Sequence, residues 1–136
     1  AYREALKVYS RDVTPLEWAA TQDRLAKTLN ALGRLVPGTQ VLQEAINAYA
    51  EAIKVRTRES SPLEWAKAQQ GMGLIYWHMS LSENHLENLR LAELCFTSAL
   101  ELFTPESAPF ARDLCKSSLD HVKEQIAEII NENNHR

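Results

Sequence analysis

The chain has 136 residues, of which 45% are hydrophobic and 24% charged, and its formal net charge is −3 at pH 7. This length suits one domain or a few stacked helical units, and it is too short for two ordinary domains. The chain has no surplus of basic residues, so we expect it not to bind nucleic acid. It also has no stretch of the roughly 18 apolar residues that a membrane span needs, so we expect no membrane partner.

The first segment, residues 1–11, predicts a partial helix that belongs to a preceding unit. It starts in the middle of a helical pattern and has no apolar core of the kind that secretion signals carry. We therefore expect a piece of a longer, cytoplasmic protein. The first helix face, which earlier units would normally cover, would then be exposed, and a homo-oligomer could form through residues 1–34.

An internal repeat of 47 residues, the offset from Tyr2 to Tyr49, organises the rest of the chain. At this offset residues 15–19 and 62–66 carry the same sequence, Pro-Leu-Glu-Trp-Ala. A second step of 47 residues continues the match but weakens, because Trp65 is replaced by Arg112. Such drift is expected of a capping unit that has no further neighbour to cover one face.

Helix starts are marked by two tetrads that read as capping boxes, Thr14-Pro15-Leu16-Glu17 and Ser61-Pro62-Leu63-Glu64. In such a box the hydroxyl accepts from the backbone N–H three residues on, and proline suits the first helical position. The third start, at Thr104-Pro105 or Ala108-Pro109, stays open. Turns at 33–38 and 80–84 mark helix ends. These signals predict no strand and about six helices, at about 1–11, 15–34, 39–58, 62–80, 85–103 and 107–132.

The second helix of each predicted unit carries a small, aromatic, small spacing, Ala45-x3-Tyr49-x2-Ala52 and then Ala92-x3-Phe96-x2-Ala99. In the first helix, Met72-Gly73-x2-Tyr76 is a Leu-Gly-x2-Tyr-like pattern, matched more loosely by Leu25-Ala26-x2-Leu29. These residues resemble the tetratricopeptide repeat (TPR) family, although the period of 47 exceeds the usual 34 or so.

The resemblance implies a single all-α domain over residues 1–136, an α-solenoid of stacked antiparallel helix hairpins with a right-handed superhelix. Its first unit would cover residues 15–58 and its second residues 62–103, and residues 107–132 would form the terminal capping helix. The longer period predicts a flatter superhelix than is usual for the family.

Reaction chemistry is not indicated. The chain lacks the phosphate-binding, dinucleotide-binding, zinc-protease and serine-hydrolase motifs, and its four histidines fall in separate elements. Cys95 and Cys115 lack CxxC spacing and are expected to be buried thiols. Glu17 and Glu64 are explained by helix capping. We therefore predict no enzyme, no metal site and no cofactor.

By the same resemblance, ligands would lie in a concave groove lined by the first helix of each unit. In the middle unit Leu74 and Trp77 would form its apolar centre, although Trp77 could instead pack under a longer turn. The family's clamp for a terminal carboxylate is not matched at the corresponding positions. The candidate partner-binding residues are Asp23, Lys27, Asn30, Gln70, Leu74, Trp77, His121 and Glu124.

Two functions follow as hypotheses. In the first, the chain is a scaffold that binds a peptide or helix of a partner protein in this groove. In the alternative, it is a structural or regulatory spacer, or a self-association module, of a larger multidomain protein.

Overall fold

The computed structural model describes Arg3 and residues 14–135, which contain five α-helices and no β-strand. The all-α prediction is confirmed for this part of the chain, and the helix ends lie within a few residues of those expected. The predicted helix at residues 1–11 lies outside the described residues except for Arg3, which is helical. We number the helices α1 (Pro15–Gly33), α2 (Gln40–Val55), α3 (Pro62–Met79), α4 (His85–Leu100) and α5 (Pro109–Asn134).

Each helix packs against the next one in the chain, and α1 also touches α3. Two hydrophobic cores result, the first between α1, α2 and α3, and the second between α3, α4 and α5. Helix α3 contributes to both, because Ile75 and Met79 face the first core while Ala66 faces the second. This double coverage explains why the sequence of α3 is apolar on more than one face.

Residues 47 positions apart occupy equivalent buried places. Ala45 and its equivalent Ala92 are fully buried. Ala52 and its equivalent Ala99 are at most 2% exposed. Between them lie the rings of Tyr49 in α2 and Phe96 in α4. A Cβ atom at Gly73 would come within 2.7 Å of the Phe96 ring, so only glycine permits this approach of α3 to α4. The small and aromatic positions therefore serve helix packing.

The turns after α1 and α3 lie close together, although they differ in sequence. Gly38 in the first turn has a φ of 81°, and Asn84 in the second has a φ of 45°, a left-handed conformation that asparagine tolerates better than most residues. The hydroxyl of Thr39 donates to the Glu83 carboxylate at 2.6 Å, and the Asn88 amide donates to the Glu83 carbonyl at 2.9 Å. The first of these bonds joins the two turns, and the second ties the turn after α3 to the start of α4.

The prediction of capping boxes at residues 14–17 and 61–64 is wrong, because the side-chain capping hydrogen bonds are not formed. Neither Thr14 nor Ser61 makes a side-chain capping hydrogen bond, because both have a ψ of 66°, outside the extended region from which a hydroxyl reaches the first turn. Their backbone carbonyls still accept from Trp18 and Trp65 at 2.9 Å. Glu64 instead pairs with Arg56 at 3.5 Å and with Lys67 at 3.8 Å.

A reciprocal turn that the sequence analysis missed lies just before α3 and again before α5. The Thr57 hydroxyl accepts from the Ser60 backbone N–H at 3.1 Å, and the Ser60 hydroxyl accepts from the Thr57 N–H at 3.2 Å. Thr104 and Ser107, 47 residues later, make the same pair of bonds at 2.9 and 3.2 Å. The turn before α5 also settles the open helix start, which lies at Ala108-Pro109.

Replacing Ser60 with alanine is expected to lower the free energy of unfolding by about 1 kcal/mol, the usual effect of losing a side-chain cap. Ser61→Ala is the matched control, because the hydroxyl of Ser61 makes no capping bond. We expect it to change the free energy of unfolding by less than about 0.5 kcal/mol. Urea denaturation followed by circular dichroism measures both. A larger loss for Ser61→Ala than for Ser60→Ala would restore the original capping-box interpretation.

Candidate functional site

The candidate residues lie on the three helices that begin the predicted units. Asp23, Lys27 and Asn30 are on α1, Gln70, Leu74 and Trp77 are on α3, and His121 and Glu124 are on α5. The structure brings some of them together and leaves others apart.

The centre of this surface is an open cavity of about 290 Å³, here called the Trp77 cavity. Leu74 and Trp77, the predicted apolar centre of the groove, line it. Three further lining residues were missed, namely Arg34 at the end of α1, His78 on α3 and Leu81 in the following turn. Two of the three lie at helix ends or in turns, where the repeat pattern carries little information.

Trp77 is half-buried and has well-defined partners on its buried side. Its indole N–H donates to Gln125 Oε1 of α5 at 2.8 Å. Its ring meets Phe96 edge to face, with the centroids 6.4 Å apart and the planes at 86°. The alternative, in which Trp77 packs under a turn, is not what the structure shows, because the buried side of Trp77 contacts α4 and α5. It combines a packing role with an exposed surface that lines the cavity.

A second cavity, of about 410 Å³, runs along the outer side of α5 and is here called the α5 cavity. The candidates His121 and Glu124 line it. The imidazole of His121 lies 6.2 Å from the Trp77 ring, measured between centroids, so that a lining residue of one cavity lies beside a lining residue of the other. The remaining lining residues of the α5 cavity are Asp113, Lys116, Ser117 and Asp120.

The α1 candidates are less closely associated with the cavities. Asp23 and Lys27 form an ion pair of 2.9 Å within α1, and neither lines the Trp77 cavity or the α5 cavity. Gln70 is half-buried and also lines neither. Asn30, the repeat equivalent of Trp77, has a buried Oδ1 with no hydrogen-bond partner in the part of the chain that the structure describes. Of the candidates, only Leu74, Trp77, His121 and Glu124 therefore line these two cavities.

An exposed leucine surface on α4 was also missed. Leu86, Leu91 and Leu94 line an open cavity of about 440 Å³, here called the α4 leucine surface, and Leu94 is 63% exposed. One repeat earlier these positions are Thr39, Glu44 and Asn47. The change from polar to leucine between equivalent positions was a signal that could have been found in the sequence.

Burial raises the pKa values of several side chains in the two cores. Burial raises the pKa of the Cys95 thiol to about 12 and that of Cys115 to about 11. Burial, with a smaller contribution from Asp23, raises the pKa of Tyr49 to about 12. Because a thiolate is the reactive form of cysteine, both thiols are poor nucleophiles at neutral pH. The expectation that both cysteines are buried is confirmed.

Among residues 14–135 and Arg3, no group of three or more His, Cys, Asp or Glu side chains is placed to hold a metal ion. None of the described helices combines the length and apolar character needed to cross a membrane. Comparison with protein-family models, curated proteins and solved structures finds no match to this chain.

Proposed function

We propose that the chain is a TPR-like α-solenoid that binds a peptide or helix of a partner protein along α1, α3 and α5, and that it has no catalytic activity of its own. The solenoid part of the proposal is supported by the sequential packing of the helices and by burial that recurs every 47 residues. The protonated, buried thiols support a role other than nucleophilic catalysis.

The observation that carries the binding role is the state of Trp77. Its N–H donates to Gln125 and its ring packs against Phe96, while its remaining surface lines an open cavity with Leu74 and Leu81. An aromatic side chain fixed in this way loses little conformational entropy when a ligand covers it. Apolar anchors of this kind, surrounded by polar groups, are typical of the centres of protein interfaces.

Selection from a library of random peptides displayed on phage tests this role without knowledge of the natural partner. We expect enriched peptides that bind the wild-type chain and lose at least about tenfold in affinity for Leu81→Glu, which places a charge in the Trp77 cavity. Leu94→Glu is the matched control on the α4 leucine surface, since Leu81 and Leu94 are 69% and 63% exposed.

The outcomes separate the two surfaces. Loss of binding for Leu81→Glu with unchanged binding for Leu94→Glu supports the groove. The opposite pattern would move the binding site to the α4 leucine surface, and a failure to enrich any peptide would contradict peptide binding altogether.

Self-association is the second candidate function, and one observation favours it. Leu32 on α1 is 46% exposed, and Leu35 in the turn that follows is 83% exposed. These apolar side chains form a surface that is suited to a second copy of the chain. Light scattering would show a concentration-dependent dimer that Leu32→Glu abolishes, whereas a monomer at all concentrations would exclude this function.

A further inference from the structure

We propose that the groove selects a partner segment with opposite charges at its two ends, an acidic side chain at the α1 end, an apolar side chain in the Trp77 cavity and a basic side chain at the α5 end. This inference rests on the proposed function and adds the chemistry of the partner. It is carried by the distribution of charge around the two cavities.

The apolar centre fixes the middle of the partner. Leu74, Trp77 and Leu81 supply the apolar part of the lining of a cavity of about 290 Å³. This volume is at the lower end of the range of small-molecule sites and is ample for one large aliphatic or aromatic side chain. An apolar residue of the partner would bury its surface here and leave its neighbours to reach the rim.

The α1 end of the groove is cationic. Arg34 lines the Trp77 cavity, is exposed, and has no ion-pair partner among the residues that the structure describes. Lys27, by contrast, is already paired with Asp23. The guanidinium group presents a planar fork of donors that matches a carboxylate, so an Asp or Glu of the partner is the complementary group at this end.

The α5 end is anionic. Three carboxylates, those of Asp113, Asp120 and Glu124, line the α5 cavity together with one ammonium group, that of Lys116. None of the four is ion-paired within the described part of the chain. A Lys or Arg of the partner is therefore favoured here, and a second acidic residue would be opposed by like charge.

The two charged ends belong to one surface because Trp77 and His121, which line different cavities, have ring centroids only 6.2 Å apart. Arg34 lines the same cavity as Trp77, and Glu124 lines the same cavity as His121. An extended segment of about six residues covers roughly 20 Å at about 3.3 Å per residue. A short segment can therefore contact Arg34, the Trp77 cavity and the α5 carboxylates together.

Fluorescence anisotropy with three short synthetic peptides and the full chain tests the proposal. All three carry the same central leucines and blocked, uncharged termini. The first has acidic residues at one end and lysines at the other, the second has acidic residues at both ends, and the third has lysines at both ends. We expect the first to bind about fivefold more tightly than either of the others, an effect of the size of one exposed ion pair.

Charge reversal at each end of the groove should change this preference in a defined direction. Arg34→Glu is expected to make the peptide with lysines at both ends the tightest ligand. Glu124→Lys leaves two carboxylates and two ammonium groups around the α5 cavity, so it is expected to remove the preference for the first peptide over the one with acidic residues at both ends. All of the exchanged residues are exposed, so the fold should tolerate them. Arg90→Glu, an exposed exchange on α4, is the control that should leave the order of the three peptides unchanged.

The results distinguish this inference from the function on which it rests. If all three peptides bind equally and Arg34→Glu changes nothing, the charge selection is overturned while the apolar groove stands. If no peptide binds the wild-type chain, or if Leu81→Glu leaves the binding of all three unchanged, the groove itself is overturned.

Discussion

Replacing Phe96 with alanine is expected to lower the free energy of unfolding by about 3–5 kcal/mol, the typical loss for a buried phenylalanine. Phe96 is fully buried in the second core, where its ring contacts the backbone of Gly73 and meets Trp77 edge to face. Its removal would leave a cavity between α3 and α4 that neighbouring side chains could fill only in part. Since whole domains are stable by about 5–15 kcal/mol, urea denaturation should show a large shift of the midpoint.

Phe110→Ala is the matched control for this prediction. The same chemical change is made at the start of α5, but the side chain is 82% exposed, so we expect the free energy of unfolding to change by no more than about 0.5 kcal/mol. Similar losses for the two variants would show that Phe96 is not a core residue and that α3 and α4 do not pack as described.

Replacing Trp77 with alanine is expected to lower the free energy of unfolding by about 2 kcal/mol and to weaken binding of selected peptides. The stability loss should be smaller than the roughly 3–5 kcal/mol of a fully buried tryptophan, because part of this side chain is exposed in the cavity. If Trp77 served binding alone, its replacement would leave the free energy of unfolding almost unchanged. The contacts with Phe96 and Gln125 are the reason to expect otherwise.

A double-mutant cycle between Trp77 and Gln125 isolates the packing role from the binding role. The single hydrogen bond of 2.8 Å between them should give a coupling energy of about 1 kcal/mol in urea denaturation of Trp77→Phe, Gln125→Ala and the double variant. Additive effects would mean that the indole N–H is not held by α5. Trp77 would then lack the fixed orientation on which the proposed function depends.

The helices and their order could be predicted because their signals are local. Proline at the first position of α1, α3 and α5 and the turn residues around Gly38 and Asn84 each act within a few residues of the boundary they mark. The 47-residue repeat then indicated which faces pack together, because equivalent positions must be covered in equivalent ways. Ala45 and Tyr49 of α2 are buried, and so are their equivalents in α4, Ala92 and Phe96, in agreement with that expectation.

The finer features depend on geometry that no local pattern records. The hydroxyls of Thr14 and Ser61 do not make the predicted capping hydrogen bonds, because the backbone ψ of both residues is 66°. The sequences Thr-Pro and Ser-Pro do not specify this angle. The Thr57 and Ser60 bonds could have been suspected from their recurrence at Thr104 and Ser107.

The candidate site was only partly predictable for a similar reason. Leu74, Trp77, His121 and Glu124 follow from the TPR resemblance together with the 47-residue repeat, and the structure places them on two neighbouring cavities. Arg34 and Leu81 come from the ends of helices, where the two units differ in sequence. The contact of Trp77 with Gln125 joins residues 48 positions apart and depends on the register of α5 against α3.

The central claim is that a 47-residue module buries its apolar surface by packing against equivalent modules. Insertion of a second copy of residues 57–103 between Phe103 and Thr104 tests this claim directly, because the insertion keeps the repeat in register. Circular dichroism during urea denaturation should show unchanged helix content per residue and a higher midpoint, as expected when one unit and one interface are added to a linear array. A lower helix content per residue, with a midpoint that stays the same or falls, would show that the inserted module does not pack and would contradict the account.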